Sequence, residues 1–275
     1  MLDKRFFPSF TPLFTRDIVV LTFHNISEYH YSWFGDLVFF LNHHYGFLDP
    51  SVLLSSAFNP NLSLSNGGPR LLISFDDGFY SSYHCTRSYL DPLGIKALFF
   101  PAYNFLLSKS LEDSTCFAQT FFFPARSLTS SDGCMRSMSL DDITSLYDSG
   151  HLIGAHTLNH PILSQCSQSE IQDEILLSKQ YLEALLGSSV STFAYPFGSF
   201  HSLDLDSVPF VRHYFNCAFT NIRGGLSSSP CRHLLFRQNI SPGTSLFKIM
   251  LILNGLLNLR YFRQRSLLHS SIYDL

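Results

Sequence analysis

Short apolar runs that alternate with helical patterns are the feature that most constrains the fold of this 275-residue chain. The strand candidates are apolar at successive positions, which is typical of strands buried on both faces. They are Ile18 to Phe23, Arg70 to Phe75, Lys96 to Phe100, Leu152 to Ala155, Thr192 to Ala194, Cys217 to Thr220, and Leu234 to Ile240. Helices between such strands form crossover connections, so the pattern predicts an α/β fold with a parallel sheet.

Three of the connecting helices can be placed from their ends. Ser139 to Asp142 reads as a capping box, and Ser167 to Glu170 reads as a second one that opens a helix ending at Gly187. The apolar stripe of that second helix consists of Ile171, Ile175, Leu182, Leu185 and Leu186. A further helix is expected from about Tyr80 to Leu90.

Two segments interrupt this alternation. Asn59 to Pro69 is rich in Asn, Ser, Gly and Pro, which indicates a surface connection. Tyr103 to Met138 is an insertion that contains Phe117, Phe121, Phe122 and Phe123. It is either a lid over a site or a segment packed by its own aromatic residues. Packing is favoured, because aromatic side chains mostly serve cores.

Charge and hydropathy exclude several classes of protein. Apolar residues make up 45% of the chain and charged residues only 14%, which argues against disorder. The formal net charge of -3 provides no basic field for nucleic acid.

The most apolar late segment, Leu246 to Leu259, is interrupted by polar residues and too short to span a bilayer. Acidic, basic and proline residues interrupt the first part of the chain, so no signal peptide and a cytoplasmic location are expected. The six cysteines form no Cys-x-x-Cys pair and are expected to be reduced.

Two adjacent carboxylates follow the second strand candidate. The run Leu71 to Phe75 leads directly into Asp76, Asp77 and Gly78. Successive side chains of a strand point to opposite faces, so both acids reach one site only where the chain leaves the sheet, a turn that glycine permits. Sites of α/β proteins commonly lie at the carboxyl ends of parallel strands. Asp-Asp-Gly is also an ordinary turn sequence, so taken alone it leaves both interpretations open.

Two histidines follow the strand candidate Leu152 to Ala155 at metal-ligand spacing. His156 and His160 lie on one face if the chain takes a single helical turn there. Two imidazoles and one carboxylate are typical of a divalent transition-metal site, usually zinc, with positions left for water or substrate. The same set also fits the iron(II) of an oxygenase, an interpretation that the adjacent Asp76 argues against.

Two further strand ends contain residues of interest. His24 follows the first strand candidate, and Thr192 to Gly198 runs from a strand through Pro196 into a turn. Together with the adjacent acids and the histidine pair, these make four features. In their order along the chain, they resemble the polysaccharide deacetylases with the NodB-homology domain. The resemblance extends from about Ile18 to Ile240. The further segments that support it are Gly94 to Phe100, Gly150 to Thr157, and His160-Pro161.

The resemblance implies a single-domain irregular (β/α) barrel of about seven parallel strands, whose enzymes remove N- or O-acetyl groups from sugar polymers. It also implies roles for individual residues. Asp77, His156 and His160 match the metal ligands, with zinc as the expected ion. Asp76 matches the general base, and the backbone N–H of Phe197 matches the oxyanion donor. Such a metal polarises the acetyl carbonyl and acidifies a bound water.

The chain departs from the family pattern at two points. Many members have an arginine two residues before the motif proline, where this chain has Ala194. That arginine positions the base, so Arg237 is the candidate to orient Asp76 instead. There is no convincing late Leu-x-His motif, and His233 is near its place but poorly positioned. The turn sequence and a first-strand histidine are similar to the poly-N-acetylglucosamine deacetylase branch, in which that histidine, here His24, is the general acid.

We therefore expect a metal-dependent hydrolase that removes acetyl groups from an N-acetylated sugar or polysaccharide, its carbohydrate partner. The alternatives are an O-acetyl esterase on a glycan and a catalytically silent NodB-like domain that binds glycan. The expected boundaries are residues 18–240 for the deacetylase domain, with the insertion at 103–138, and 241–275 for a helical tail. The basic stretch Lys248 to Arg265 could touch a membrane surface, but a packed terminal helix is favoured.

Overall fold

A computed structural model describes residues 17–55, 58, 70–129 and 132–272. The surface connection expected at Asn59 to Pro69 therefore lies outside the described residues. Seven parallel strands form one sheet in this part of the chain, in the order β4-β3-β2-β1-β7-β6-β5. The strands are β1 (Ile18–Phe23), β2 (Arg70–Asp77), β3 (Leu98–Pro101), β4 (Leu152–Ile153), β5 (Thr192–Ala194), β6 (Cys217–Arg223) and β7 (Leu235–Asn239).

The two edge strands meet and nearly close the sheet into a barrel. Ala155, just beyond β4, forms a parallel bridge with Phe193 of β5. The Ala155 N–H donates to the Thr192 carbonyl at 2.9 Å, and the Ala194 N–H donates to the Ala155 carbonyl at 2.9 Å. The predicted irregular (β/α) barrel of about seven parallel strands is confirmed.

Helices cover the outside of the barrel. They are α1 (Tyr31–His44), α2 (Tyr80–Cys85), α3 (Tyr103–Leu106), α4 (Leu111–Phe117), α5 (Leu140–Asp148), α6 (Gln168–Leu186), α7 (Val208–Tyr214), α8 (Leu246–Leu253) and α9 (Phe262–Ile272). Capping boxes at Ser139 and Ser167 begin α5 and α6, as predicted, and Gly187 ends α6 in the left-handed conformation. The helix expected at about 80–90 is α2 followed by a π-helical turn at Thr86–Leu90.

The strands are buried on both faces. Along β1, Ile18 and Val20 point into the barrel, whereas Val19 and Leu21 pack in the layer between strands and helices. Successive side chains of a strand point to opposite faces of the sheet. Here one face lines the barrel interior and the other is covered by helices, so both faces are apolar. Continuous apolar runs were therefore the correct signal for parallel strands.

Several strand boundaries differ from the sequence predictions. β2 continues through both acids to Asp77, and β6 continues to Arg223. β3 begins at Leu98 instead of Lys96, and β4 ends at Ile153. The carboxyl ends of β2 and β6 were predicted too early because their side chains are polar. The prediction relied on runs of apolar residues, whereas a strand extends as far as its backbone hydrogen bonds to the neighbouring strands.

The insertion and the tail both pack against the barrel. The insertion contributes Phe105, Ala118, Phe122 and Met135 to a separate buried cluster with Phe79, which confirms the favoured expectation of aromatic packing. Four tail residues, Ile249, Ile252, Leu253 and Leu268, join the main core, so the expectation of a packed tail is also confirmed. No helix in the described ranges is long and apolar enough to cross a membrane. The six cysteines are free thiols, as expected.

Candidate active site

Asp76 and Asp77 reach one site because the backbone enters the left-handed region of φ at the end of β2. Asp77 has a φ of 70° and Gly78 a φ of 100°, so the strand twists out of the sheet at the second acid. A side chain at Gly78 would also place its Cβ 3.1 Å from the Cβ of Pro101, so only glycine fits without strain. Both carboxylates are buried, with Asp76 1% and Asp77 3% exposed.

His156 and His160 meet through a bend, and not through the single helical turn that would also have put them on one face. Thr157 and His160 have φ values of 65° and 58°. The His160 N–H donates to the Thr157 Oγ1 at 3.0 Å and fixes this bend. In each histidine, Nε2 lies 3.5 Å from the Asp77 Oδ1.

A glutamate that sequence reasoning missed anchors this bend. Glu174 of α6 accepts hydrogen bonds from the backbone N–H groups of Leu158 and Asn159, both at 2.9 Å, and from the Asn159 Nδ2 at 2.6 Å. Left-handed conformations at non-glycine residues cost about 1–3 kcal/mol each, and these bonds offset that strain. The available signal was an acid on the inward side of α6, three residues after the buried Ile171.

The distances suit a tetrahedrally coordinated ion. Ligand atoms about 2.0–2.1 Å from a tetrahedral zinc lie about 3.4 Å from one another, close to the separations found here. One ligand atom from each of Asp77, His156 and His160 lies within 4.8 Å of the others. The Asp77 Oδ1 is buried and makes no hydrogen bond to any described residue. A buried carboxylate oxygen that accepts no hydrogen bond is destabilising by itself, and a cation bound to it would supply the missing favourable contact.

The protonation states suit the same ion. The His156 Nδ1 lies 2.7 Å from the Ala194 carbonyl, which can only accept, so this contact selects the Nδ1–H tautomer of the neutral ring, in which Nε2 offers its lone pair to an ion. Burial lowers the pKa of His160 to about 4, so its imidazole is neutral at neutral pH. Burial alone would raise the pKa of Asp77, but His24, His156 and His160 outweigh it and lower that pKa to about 2.

Asp76 forms a bidentate ion pair with Arg237 of β7. The two terminal nitrogens of Arg237 donate to the two carboxylate oxygens at 2.8 and 2.7 Å, and its Nε donates to the Thr220 carbonyl at 2.9 Å. Burial would raise the pKa of Asp76, but the Arg237 guanidinium outweighs it and keeps that pKa below its usual range. Asp76 is therefore an ionised carboxylate with a fixed orientation.

The remaining candidates occupy different positions relative to this pair. The His24 Nε2 lies 3.9 Å from the Asp76 Oδ2, and its side chain is 31% exposed. Phe197 has a φ of 57° in the turn after β5, and its ring lies 4.5 Å from that of His160. His233 lies just before β7, at the opposite end of that strand, where its Nε2 is 2.9 Å from the Phe215 carbonyl. The structure thus brings His24 and Phe197 to the site and leaves His233 outside it.

Comparison with known protein families matches residues 64–208, more than half of the chain, to the polysaccharide deacetylase family. The chain belongs to this family. No curated protein matches it. The segment matched to the polysaccharide deacetylases contains Asp76, Asp77, His156, His160 and Phe197.

Three solved structures illustrate the fold that this chain shares with known proteins. The Streptococcus pyogenes deacetylase PplD, in complex with acetate, aligns with a TM-score of 0.67 at 20% identity, over 86% of this chain and 98% of that one. The putative polysaccharide deacetylase BA0330 from Bacillus anthracis aligns with a TM-score of 0.63 at 20% identity, over 86% and 69%. IcaB from Ammonifex degensii aligns with a TM-score of 0.59 at 18% identity, over 89% and 98%.

Two candidate residues of this polysaccharide deacetylase lie outside the matched segment. His24 follows β1, and Arg237 belongs to β7. Both strands lie near β2 in the sheet, since the order β2-β1-β7 places their carboxyl ends at one end of the barrel. Sheet order therefore explains how residues far apart in sequence contact the same carboxylate.

Proposed function

We propose that this chain is a metal-dependent hydrolase that removes acetyl groups from an N-acetylated sugar or polysaccharide. One observation supports it above all others. The Asp77 Oδ1, which accepts no hydrogen bond from the part of the chain that the structure describes, lies 3.5 Å from two histidine nitrogens, and Asp77 is adjacent to the ionised Asp76. A metal-ligand set next to an ionised carboxylate is an arrangement suited to hydrolysis of an acetyl group.

Asp77, His156 and His160 would hold the ion, with zinc the best fit to two nitrogens and one carboxylate. When bound, such an ion polarises the acetyl carbonyl and lowers the pKa of water. The protein supplies the orientation of its ligands. Ala194 fixes the His156 tautomer, and the bend anchored by Glu174 fixes the spacing of the two rings.

Asp76 is the proposed base. Water adds to the acetyl carbon, its proton moves to Asp76, and the carbonyl oxygen gains negative charge. The Phe197 backbone N–H is the proposed donor to that oxygen. Arg237 keeps Asp76 ionised and oriented, in the role that an arginine at the position of Ala194 has in many family members.

His24 is the proposed acid. When the C–N bond breaks, the amine leaves with a proton, because an unprotonated amide nitrogen is a very poor leaving group. His24 is the more exposed partner of the His24–Asp76 contact and lies within 3.9 Å of the base. A positioned proton donor contributes about 10²–10⁴-fold to such a step.

We expect His24→Ala to lower turnover of N-acetyl substrates by about 10²–10⁴-fold and to retain the metal. Turnover of activated aryl acetates should fall much less, because a phenolate leaves without a proton. The measurement is kcat on both substrates, with the zinc content of each protein. Equal losses on the two substrates would assign His24 a structural role, and unchanged turnover would exclude it as the acid.

Acetate release distinguishes this proposal from its alternatives. The purified chain with added zinc would be incubated with N-acetylglucosamine oligomers and, separately, with O-acetylated xylan oligomers. We expect acetate from the N-acetylated oligomers. Release from the O-acetylated oligomers alone would support the esterase, and saturable binding without release from either would support a silent glycan-binding domain.

A further inference from the structure

The Phe-rich insertion, residues 103–138, has no role in the chemistry proposed above. Its aromatic rings form a buried cluster in which Phe122 packs against Phe79 and Phe105, with centroid separations of 5.4 and 5.0 Å. Phe117 lies 5.4 Å from both Phe105 and Phe122. Edge-to-face and tilted ring pairs at these distances are stabilising, so the rings hold the insertion together as a packed cluster.

The insertion is attached to the chain segments that leave β1 and β2. The Asn25 Nδ2 donates to the carbonyls of Asp132 and Cys134 at 2.9 and 3.1 Å. The Met138 N–H donates to the Gly78 carbonyl at 2.8 Å. Asn25 follows His24, and Gly78 follows Asp77, so these bonds join the insertion to the backbone of the candidate active site.

The insertion also contacts one of the two histidines directly. The Phe122 ring packs edge-on against His160, with centroids 5.0 Å apart at 89°. The His160 Nδ1 lies 3.4 Å from the Phe121 carbonyl. His156 differs, because its Nδ1 is bound by the Ala194 carbonyl of the barrel itself. Both histidines thus contact the barrel, since the Phe197 ring also lies 4.5 Å from His160, but only His160 is contacted by the insertion as well.

We propose that the Phe-rich insertion positions His160, through the Phe122 ring and the Phe121 carbonyl, so that the His160 Nε2 faces the Asp77 Oδ1. The inference rests on the metal site of the proposed function. The carbonyl favours the Nδ1–H tautomer, and the ring fixes the plane of the imidazole. Loss of the hydrogen-bond partner of a metal-ligating histidine typically changes metal affinity by 10–100-fold, and the Phe122 ring holds the imidazole where the Phe121 carbonyl can be that partner. Phe121 and Phe122 are therefore positioning residues.

The test compares two changes in the same cluster. Phe122→Leu removes the ring against His160, whereas Phe105→Leu removes a buried ring that packs against Phe79, Phe117 and Phe122. Both variants should lose stability to a similar extent in denaturant unfolding. We expect Phe122→Leu to weaken Zn²⁺ binding about 10–100-fold in competition with a chromogenic chelator, and Phe105→Leu to change it less than about threefold.

A conservative variant and a spectroscopic signal complete the test. Phe122→Met retains much of the side-chain volume, and it should weaken Zn²⁺ binding in the same direction without a large loss of stability. In the metal-free protein, ¹⁵N NMR of the His160 ring should show the Nδ1–H tautomer in the wild type. The Phe122 variants should show a tautomer mixture, because they lose the ring that holds the imidazole in line with the Phe121 carbonyl. Equal affinity losses in the Phe105 and Phe122 variants, or unchanged affinity in both Phe122 variants, would overturn the proposal.

These outcomes are separable from failure of the proposed function. If the wild type binds Zn²⁺ and releases acetate while Phe122→Leu binds Zn²⁺ equally well, only the positioning role fails. If the wild type does not bind Zn²⁺, the proposed function fails and this inference with it.

Discussion

Asp76→Asn is expected to lower acetate release by about 10²–10⁴-fold while zinc remains bound. Asparagine cannot take a proton from water at neutral pH, so the base is lost although the shape of the side chain is kept. The three ligand atoms of Asp77, His156 and His160 are unchanged, so the ion should stay in place. The measurement is acetate release under saturating substrate, with zinc content determined on the same sample.

Asp77→Asn is the matched control, because it makes the same chemical change at the next residue. It replaces the carboxylate that lies 3.5 Å from both histidine nitrogens, so it should lose zinc and activity together. Near-normal turnover in Asp76→Asn would remove Asp76 from the role of base. Zinc loss in Asp76→Asn comparable to that in Asp77→Asn would show that the two acids share one role as ligands.

Arg237→Met is expected to destabilise the metal-free protein by about 3–5 kcal/mol, because it leaves the buried Asp76 carboxylate without its counter-charge. Arg237 is 0% and Asp76 1% exposed, so solvent does not replace the lost partner. The pKa of Asp76 should rise as well, since the guanidinium is the largest of the contributions, with those of His156 and His24, that outweigh the effect of burial. Denaturant unfolding measures the free-energy change.

Two further variants assign this loss to the ion pair. Arg223→Met removes a half-buried arginine of β6 that donates to Gln238 and Asn239, and it should cost much less. In the Asp76→Asn/Arg237→Met double variant, the unpaired charge is gone, so part of the stability should return. A loss below about 1 kcal/mol in Arg237→Met would contradict a strongly coupled buried pair.

The sequence was sufficient to predict the fold and the end of the barrel at which the candidate site residues lie. Apolar runs such as Val19 to Phe23 have no polar face, which is the pattern of parallel strands, and parallel strands place their carboxyl ends together. Asp76 and Asp77 at the end of one strand and His156 after another were therefore expected at one end of the barrel. Gly78 could be predicted as a turn and Gly187 as a helix end, because glycine tolerates the positive φ values found at both positions.

The remaining parts of the site depend on contacts that local patterns do not contain. Whether His156 and His160 meet through a helical turn or a bend depends on Glu174, an anchor on a different element. The contact of Phe122 with His160 joins the insertion to a loop far along the chain. The Asp76–Arg237 contact, suggested as an orienting pair, acquires its bidentate geometry only from the order of β2, β1 and β7.

Zinc titration of the metal-stripped chain, with acetate release from N-acetylglucosamine oligomers as the readout, tests the central claim most directly. We expect release to rise in proportion to added zinc and to stop rising at one ion per chain. His160→Ala, measured in parallel, should bind little zinc and release little acetate over the same range. Full acetate release from the metal-stripped wild type, or from His160→Ala without bound zinc, would contradict hydrolysis at the Asp77, His156 and His160 site.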